Sequence, residues 1–279
     1  MGAPGSTGPI GLVVVAHTDR GALEATLRSI ATQTRVSAVV VVDIGEAVVR
    51  PDQTALLSCG LDPATSLWLA LPGLNRYEAI NRGVAACSSS YLMVLHEGDK
   101  LADPHVLADC ESHLRGMGRA PEVVYGERIK HLGSHWYYKP PRNPEQVALG
   151  MFVELSCMLI RRDVFQFLTF DASFTEAGDY AFVCQLRRLR PDASWVRLDR
   201  ILVQVVLDKM HEGHLGRKLK EDWRVQRDWV RSGLLMRVLV LVTRLVSQGL
   251  RRLCRLTLGY PGFQTGAVPV NGAGRAFVE

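Results

Sequence analysis

The sequence predicts an α/β fold: a mostly parallel sheet with helices on both faces, then a mixed α+β half and C-terminal amphipathic helices. The main observation is that short apolar runs in the first half alternate with segments whose apolar residues recur at helical spacing. In addition, 47% of the 279 residues are hydrophobic and 22% are charged, which is enough apolar side chain for a full core and argues against general disorder.

Four apolar runs in the first half predict buried strands. The first is a nearly continuous valine-rich run, typical of a strand that is buried on both faces. The strands are predicted at Ile10–Ala16, Ala38–Asp43, Ser66–Leu71 and Ser90–Leu95. Helical spacing between and after them predicts helices at Gly21–Gln33, Arg76–Cys87 and Val106–Leu114.

The pattern changes after Pro121, where strands and helices no longer alternate regularly. Strands are predicted at Glu122–Ile129, Cys157–Ile160 and Trp195–Leu207, and helices at Glu176–Arg190 and over 217–256 with a break near Ser232 and Gly233. We therefore expect a disordered N-terminus over 1–9, one large domain over 10–230, an amphipathic basic helix over 231–258 and a flexible tail over 259–279.

The cysteine content and the absence of targeting patterns indicate the cellular compartment of the protein. The six cysteines have no metal-ligand spacing, and in a chain of this length they favour a reducing environment over a disulfide framework. The first nine residues lack the basic segment of a secretion signal. No stretch reaches the roughly 18 uninterrupted apolar residues of a membrane-spanning helix. The sequence predicts a cytoplasmic protein.

The net charge of +5 is concentrated late in the chain. A predicted helix places four arginines and a glutamine on one face, and the rest of its surface is mostly Leu, Val and Met: Arg237, Arg244, Gln248, Arg251 and Arg255. This pattern predicts a peripheral helix on the inner face of the cell membrane, with the arginines toward anionic headgroups. The alternative is a core-packing helix with a solvated basic stripe. No aromatic and basic platform indicates nucleic-acid binding.

Polar residues follow the predicted strands, at the sheet edge where open α/β folds bind ligands. The first strand ends in Ala16, His17 and Thr18, and the second ends in Asp43. Asp43 suits either a bond to a base N–H or the cap of a turn. No glycine-rich dinucleotide or P-loop motif is present.

The fourth strand is followed by Glu97 and Asp99. Asp99 suits either a hard divalent cation, which prefers oxygen ligands, or a local turn. Glu97 is placed to assist it.

Two predicted helices carry further candidates. Asn81 and Arg82 lie late in one of them, where Arg82 suits either a diphosphate or a solvated helix face. Asp179 opens the other, where it suits either a general base or a helix cap.

Taken in order, these segments resemble the bacterial family 2 glycosyltransferases of GT-A fold, and are most similar to the subgroup that builds exopolysaccharide and lipopolysaccharide repeat units. The resemblance spans about 10–230. The segments that carry it are Leu23–Gln33 (LEATLRSIATQ), Val41–Asp43 (VVD), Tyr77–Gly83 (YEAINRG), Tyr91–Asp99 (YLMVLHEGD), Val124–Glu127 (VYGE) and Ala177–Tyr180 (AGDY).

The resemblance implies an inverting, metal-dependent transfer of a sugar from a nucleotide-diphosphate sugar to a saccharide or lipid-linked saccharide, in cell-surface polysaccharide synthesis. Asp99 would hold Mg²⁺ or Mn²⁺ and Asp179 would be the catalytic base. The donor would be bound by Ala16, His17, Thr18, Asp43, Asn81, Arg82 and Glu97.

The chain departs from the family pattern in its nucleotide loops. The usual DGSxDGT is Asp43-Ile44-Gly45-Glu46, the acidic residue after the third strand is Gly73, and the first acidic position of the metal motif is Glu97 or missing. These departures leave open a second interpretation, a non-catalytic GT-A-like scaffold or regulatory subunit of a polysaccharide assembly complex.

Overall fold

The computed structural model describes residues 10–35, 38–46, 53–132, 135–206, 215–258 and 264–265. The first half holds strands β1 to β4 at Ile10–Ala16, Val39–Asp43, Ser66–Ala70 and Tyr91–His96. Its helices α1 to α4 span Arg20–Ala31, Gln53–Ser58, Arg76–Ala86 and Val106–Arg115. The four predicted strands and three predicted helices are confirmed with boundaries within two residues, whereas the short helix α2 was not predicted.

The remaining described strands range from two residues in β10 to twelve in β9, and three further α-helices follow α4. The strands β5 to β10 are Asp99–Leu101, Val123–Leu132, His135–Lys139, Met158–Arg161, Trp195–Val206 and Gln264–Thr265. The helices α5 to α7 are Gly178–Leu189, Leu215–Val225 and Leu234–Leu258, with a π-helical turn at Gln226–Val230 between the last two.

The described strands form one sheet in the order β10-β7-β6-β8-β4-β1-β2-β3, and β9 pairs with both β5 and β6. Strands β4, β1, β2 and β3 run parallel, whereas β8 enters antiparallel between β4 and β6. Every residue of β1 and β2 is buried, as their apolar runs predict.

Helix α3 packs closely against strand β1. A side chain at Gly83 of α3 would collide with Val13 of β1, so the glycine lets the helix axis come close to the sheet. The register of the strands then places Ala16 opposite Asp43 and Val15 opposite His96. The polar ends of β1, β2 and β4 therefore meet at one edge.

The C-terminal helix has the predicted amphipathic pattern, but the two arginines whose side chains are described face the body of the protein, opposite to the prediction. Arg237 donates to the carbonyl of Ser232 and lies over the Trp223 ring, and Arg244 pairs with Asp222. The buried carboxylate and the aromatic rings draw both arginines inward. The side chains of Gln248, Arg251 and Arg255 lie outside the described part.

The outer side of α7 is apolar. Its exposed side chains are Leu234, Leu235, Met236, Val238, Leu239, Val242, Leu245 and Val246, with Leu235 85% exposed. Among the described residues, no helix is both long enough and apolar enough to cross a membrane.

Both ends of the chain were predicted to lack regular structure, and the structure describes little of either. Residues 1–9 and most of 259–279 lie outside the described residues, so the disorder predicted for 1–9 remains a prediction. Gln264–Thr265 forms strand β10 on the edge of β7, and the flexible tail predicted over 259–279 also remains a prediction. An edge strand offers unpaired backbone groups, and a passing segment can pair with them.

Candidate active site

The turn after β1 is held by Glu97. Its two carboxylate oxygens accept the backbone N–H groups of His17 at 2.7 Å and of Thr18 at 3.3 Å. Ala16 accepts the N–H of Ile44 through its carbonyl at 2.9 Å, which joins the turns after β1 and β2. Glu97 therefore shapes the surface formed by Ala16, His17 and Thr18.

Asp43 is buried at the end of β2. One of its oxygens pairs with the Arg20 guanidinium at 2.7 Å, and the other accepts the N–H of Gly45 at 3.1 Å. A side chain at Gly45 would collide with the His17 carbonyl, so this position needs glycine. Asp43 thus caps a turn, which is one of its two predicted roles.

Asp99, the predicted metal ligand, is 4% exposed. One carboxylate oxygen accepts the backbone N–H of His96 at 3.0 Å, and the other pairs with the Arg128 guanidinium at 3.0 Å. Asp99 therefore closes a local turn and carries a buried ion pair with β6.

Asp179 lies in the first turn of α5, but no side-chain cap is formed at that helix end. Its Oδ2 pairs with the Arg76 guanidinium at 2.6 Å. Its Oδ1 is buried and has no hydrogen-bond partner. Since Oδ1 receives no hydrogen bond, it is the oxygen of Asp179 that could take a proton from the hydroxyl group of a substrate.

The backbone around Asp179 is fixed by Tyr77. The Tyr77 hydroxyl accepts the N–H groups of Gly178 at 2.9 Å and of Asp179 at 3.3 Å. A Cβ at Gly178 would lie 2.5 Å from the tyrosine ring, so glycine is required for this close approach. Burial raises the pKa of Tyr77, which keeps the hydroxyl neutral.

Glu221 of α6 holds the loop that leads into α5. Its carboxylate accepts the backbone N–H groups of Thr175, Glu176 and Ala177, at 2.9, 2.8 and 2.8 Å, and the Thr175 hydroxyl at 2.8 Å. Burial raises the pKa of Glu221, but these hydrogen bonds outweigh burial and hold the pKa below its ordinary value.

His96 joins the two ion pairs into one cluster. Burial, together with the positive charges of Arg76 and Arg128, lowers its pKa to about 4 against the opposing effect of Asp99 and Asp179. All four charged groups therefore contribute to the electrostatic environment of one imidazole, which is neutral at physiological pH.

Asn81 and Arg82 do not join this cluster. Asn81 bonds to the backbone of Phe170 through both polar atoms of its amide, at 2.8 and 2.9 Å, so it fastens α3 to the second half. Arg82 is exposed, six residues after Arg76 and roughly 9 Å further along the helix.

The residues present do not fit a divalent metal ion as described. Both oxygens of Asp99 and both of Glu97 are already hydrogen bonded. Among the described residues, no group of three or more His, Cys, Asp or Glu is placed to hold a metal.

Comparison with solved structures identifies the architecture. The chain aligns with S. aureus TarS 1–349 in complex with UDP at a TM-score of 0.59 and 14% identity, covering 89% of this chain and 73% of that one. The complex of the same protein with UDP-GlcNAc gives a TM-score of 0.58 at 13% identity over 89% and 74%.

The chain has a glycosyltransferase fold of the GT-A type.

Sequence comparison is consistent with this glycosyltransferase fold over a shorter stretch. Two uncharacterized glycosyltransferases from two strains of Mycobacterium tuberculosis are 29% identical over 116 residues, which is 41% of this chain and 43% of each relative. The chain thus spans less than half the length of the curated relatives it matches. No family model matches the chain.

The sequence did not predict which side chains form hydrogen bonds and ion pairs with the candidate carboxylates, or which side chains hold the backbone around them. Arg76 and Tyr77 start the predicted helix α3, and Arg128 directly follows the VYGE segment. Glu221 lies in a helix that drew attention only for its apolar pattern. Tyr77 is the first residue of the YEAINRG segment, and Arg76 and Arg128 lie next to family segments, whereas Glu221 had no such signal.

Proposed function

We propose that this chain is an inverting glycosyltransferase that moves a sugar from a nucleotide-diphosphate sugar to a saccharide or lipid-linked saccharide. One observation carries the proposal. Asp179, whose Oδ1 is unpartnered, pairs with Arg76 through its other oxygen, and both charges act on the buried His96 at the polar edge of a glycosyltransferase fold.

In the proposed reaction, the acceptor hydroxyl gives its proton to Oδ1 of Asp179 as its oxygen attacks the anomeric carbon. The new bond forms on the face opposite the bond to the diphosphate, which breaks and leaves with the electron pair. Arg76 and Tyr77 keep the carboxylate aimed during this step, because they fix its second oxygen and its backbone.

The nucleoside part of the donor would lie against the turns after β1 and β2, where Asp43 and the surface of Ala16, His17 and Thr18 meet. The UDP and UDP-GlcNAc complexes of S. aureus TarS support a nucleotide-sugar donor for the same fold. Arg82 is exposed and would contact the donor only at its periphery.

The sequence predicts Mg²⁺ or Mn²⁺ at Asp99, and this remains a prediction. The described donor set does not supply the ligands, so no step above depends on the metal.

We place the protein on the inner face of the cell membrane, in cell-surface polysaccharide synthesis, with α7 as the contact. The support is the exposed apolar side of α7, which faces away from the body of the protein. Lipid-linked acceptors are held at such a surface, and this would bring them to the same side as α7.

The decisive experiment is transfer from a panel of radiolabelled nucleotide sugars, with wild type and Asp179→Asn compared. We expect the variant to lose at least about 100-fold in kcat, because general-base catalysis contributes about that much. The exposed Asp192→Asn is the matched control and should keep full activity. Full activity of Asp179→Asn would end this assignment.

One observation favours the non-catalytic interpretation: Asp99 and Asp179 are both occupied by arginines. A scaffold would bind UDP or GDP in calorimetry and transfer no sugar from any donor in the panel. Turnover with one donor would reject it.

A further inference from the structure

Arg128 takes up the position at which the sequence predicts a metal ion. It extends from β6 to Asp99 at 3.0 Å, and its side chain is 14% exposed. A second carboxylate, Glu154, lies 4.0 Å from another nitrogen of the same guanidinium. The cation beside Asp99 is therefore a fixed part of the chain.

The spare hydrogen-bonding capacity around His96 comes mainly from nitrogen. Buried polar atoms without a partner include two donors, Nε of Arg76 and Nε of Arg128, and one acceptor, Oδ1 of Asp179. Nε2 of the neutral His96 also has no partner, and its tautomer decides whether it donates or accepts. A divalent cation needs oxygen acceptors, whereas the oxygens of a phosphate need donors. The cluster therefore suits an anion better than a metal ion.

We propose that Arg128 is the counter-charge for the diphosphate of the donor, and that this protein binds and uses its nucleotide sugar without Mg²⁺ or Mn²⁺. The inference rests on the proposed function and adds a substrate-binding residue to it. Asp99 then orients Arg128 and does not ligate a cation, which explains why both of its oxygens are engaged.

In this role Arg128 would stabilise the leaving group of the sugar transfer. As the bond from the anomeric carbon to the β-phosphate oxygen breaks, its electron pair leaves a growing negative charge on that oxygen. A guanidinium held in place stabilises this charge without reorganisation, and it offers parallel N–H groups that match phosphate geometry.

The first test is calorimetric binding of UDP and GDP to wild type in EDTA and in MnCl₂. We expect the Kd of whichever nucleotide binds to differ by less than about threefold between the two conditions, since hydrogen bonds to Arg128 need no metal. Binding that appears only with Mn²⁺ would overturn the inference and leave the proposed function standing. Absence of binding in both conditions would overturn both.

The second test replaces Arg128. Arg128→Met should weaken binding in EDTA by about tenfold or more, the loss expected for a charged hydrogen bond, and Arg128→Lys should retain part of it. Mn²⁺ should now strengthen binding to Arg128→Met, because Asp99 is released. The exposed Arg115→Met is the matched control.

Arg128→Met leaves a buried carboxylate unpaired, so thermal unfolding is measured beside binding, and Asp99→Asn combined with Arg128→Met serves as a variant that loses both charges. A folded Arg128→Met or double variant with wild-type affinity in EDTA would contradict the role of Arg128. If neither variant folds, the wild-type comparison decides.

Discussion

Tyr77 shows how one hydroxyl can control a proposed catalytic carboxylate without touching substrate. It accepts two backbone N–H groups at the start of α5 and receives a hydrogen bond from Arg76 at 3.2 Å. Arg76 in turn holds Asp179. The aim of the carboxylate therefore depends on a phenol that is wholly buried.

We expect Tyr77→Phe to lower the free energy of unfolding by about 1–2 kcal/mol and to reduce kcat, while the KM for the donor stays unchanged. The reason is that two N–H groups lose their acceptor while the donor surface is untouched. Chemical denaturation and steady-state kinetics measure the two effects.

Tyr91→Phe is the matched control, because the Tyr91 hydroxyl donates to the Pro121 carbonyl at 2.6 Å and has no link to Asp179. It should lose similar stability and keep its kcat. An equal loss of kcat in both variants would show that Tyr77 matters only for folding.

The sequence identifies the candidate carboxylates but not the arginines that pair with them. Asp43, Asp99 and Asp179 each follow from a local motif or a strand end. Their arginines are not predictable in this way: Arg128 comes from a strand 29 positions away and Arg76 from a helix 103 positions away. Such pairs are set by the folded chain and leave no local periodicity.

Helix α7 is the element whose orientation the pattern could not settle. An amphipathic sequence separates a basic face from an apolar one, but it does not state which face meets the body of the protein. Asp222 decides this, since it pairs with Arg244 and is 2% exposed. The apolar side is therefore turned outward.

We expect Leu235→Ser combined with Leu239→Ser to weaken binding to vesicles of phosphatidylglycerol and phosphatidylcholine by at least about tenfold, since each inserted leucine contributes about 1.5–3 kcal/mol. Vesicle sedimentation measures the bound fraction. The exposed Leu57→Ser on α2 controls for a loss of surface leucine elsewhere. Equal sedimentation of all three proteins would contradict membrane contact through α7.

Periodicity predicts the long elements well and misses the short ones. Strand β1 and helix α3 carry many apolar residues at a clear spacing, and their predicted bounds differ from the structure by at most one residue. Strands β5 and β7 have only three and five residues; β5 pairs with the distant β9, and β7 pairs with the preceding strand β6. Too few residues lie in such strands for a period to show.

Three strands of the second half are joined at Glu122, next to the point where the sequence pattern changes. Its carboxylate accepts the backbone N–H and the hydroxyl of Ser194, both at 2.7 Å, and pairs with Arg161 at 2.8 Å. These contacts tie together the ends of β6, β8 and β9. Burial raises the pKa of Glu122, but the hydrogen bonds and Arg161 hold it below its ordinary value.

A carboxylate whose pKa is depressed by folding stabilises the protein above its unfolded pKa, and the contribution disappears as the pH falls through the folded value. We therefore expect Glu122→Gln to cost about 1–3 kcal/mol near neutral pH and progressively less below about pH 4. Urea denaturation across this range measures the difference.

Glu24→Gln, which removes an exposed pair with Arg28 on α1, serves as control and should change little at any pH. A cost for Glu122→Gln that stays constant into acid would contradict the role of its charge.

Arg244 connects helix α7 to the start of helix α5, where Asp179 lies. It reaches from α7 to Asp222 and lies over the ring of Tyr180, the residue after Asp179. Lifting α7 would leave the buried Asp222 carboxylate unpaired, which costs several kcal/mol, so these contacts oppose separation of α7 from the start of α5. In the proposed membrane-bound state, Asp179 would therefore keep a nearly constant height above the headgroups and would reach acceptors whose sugar stands at that height.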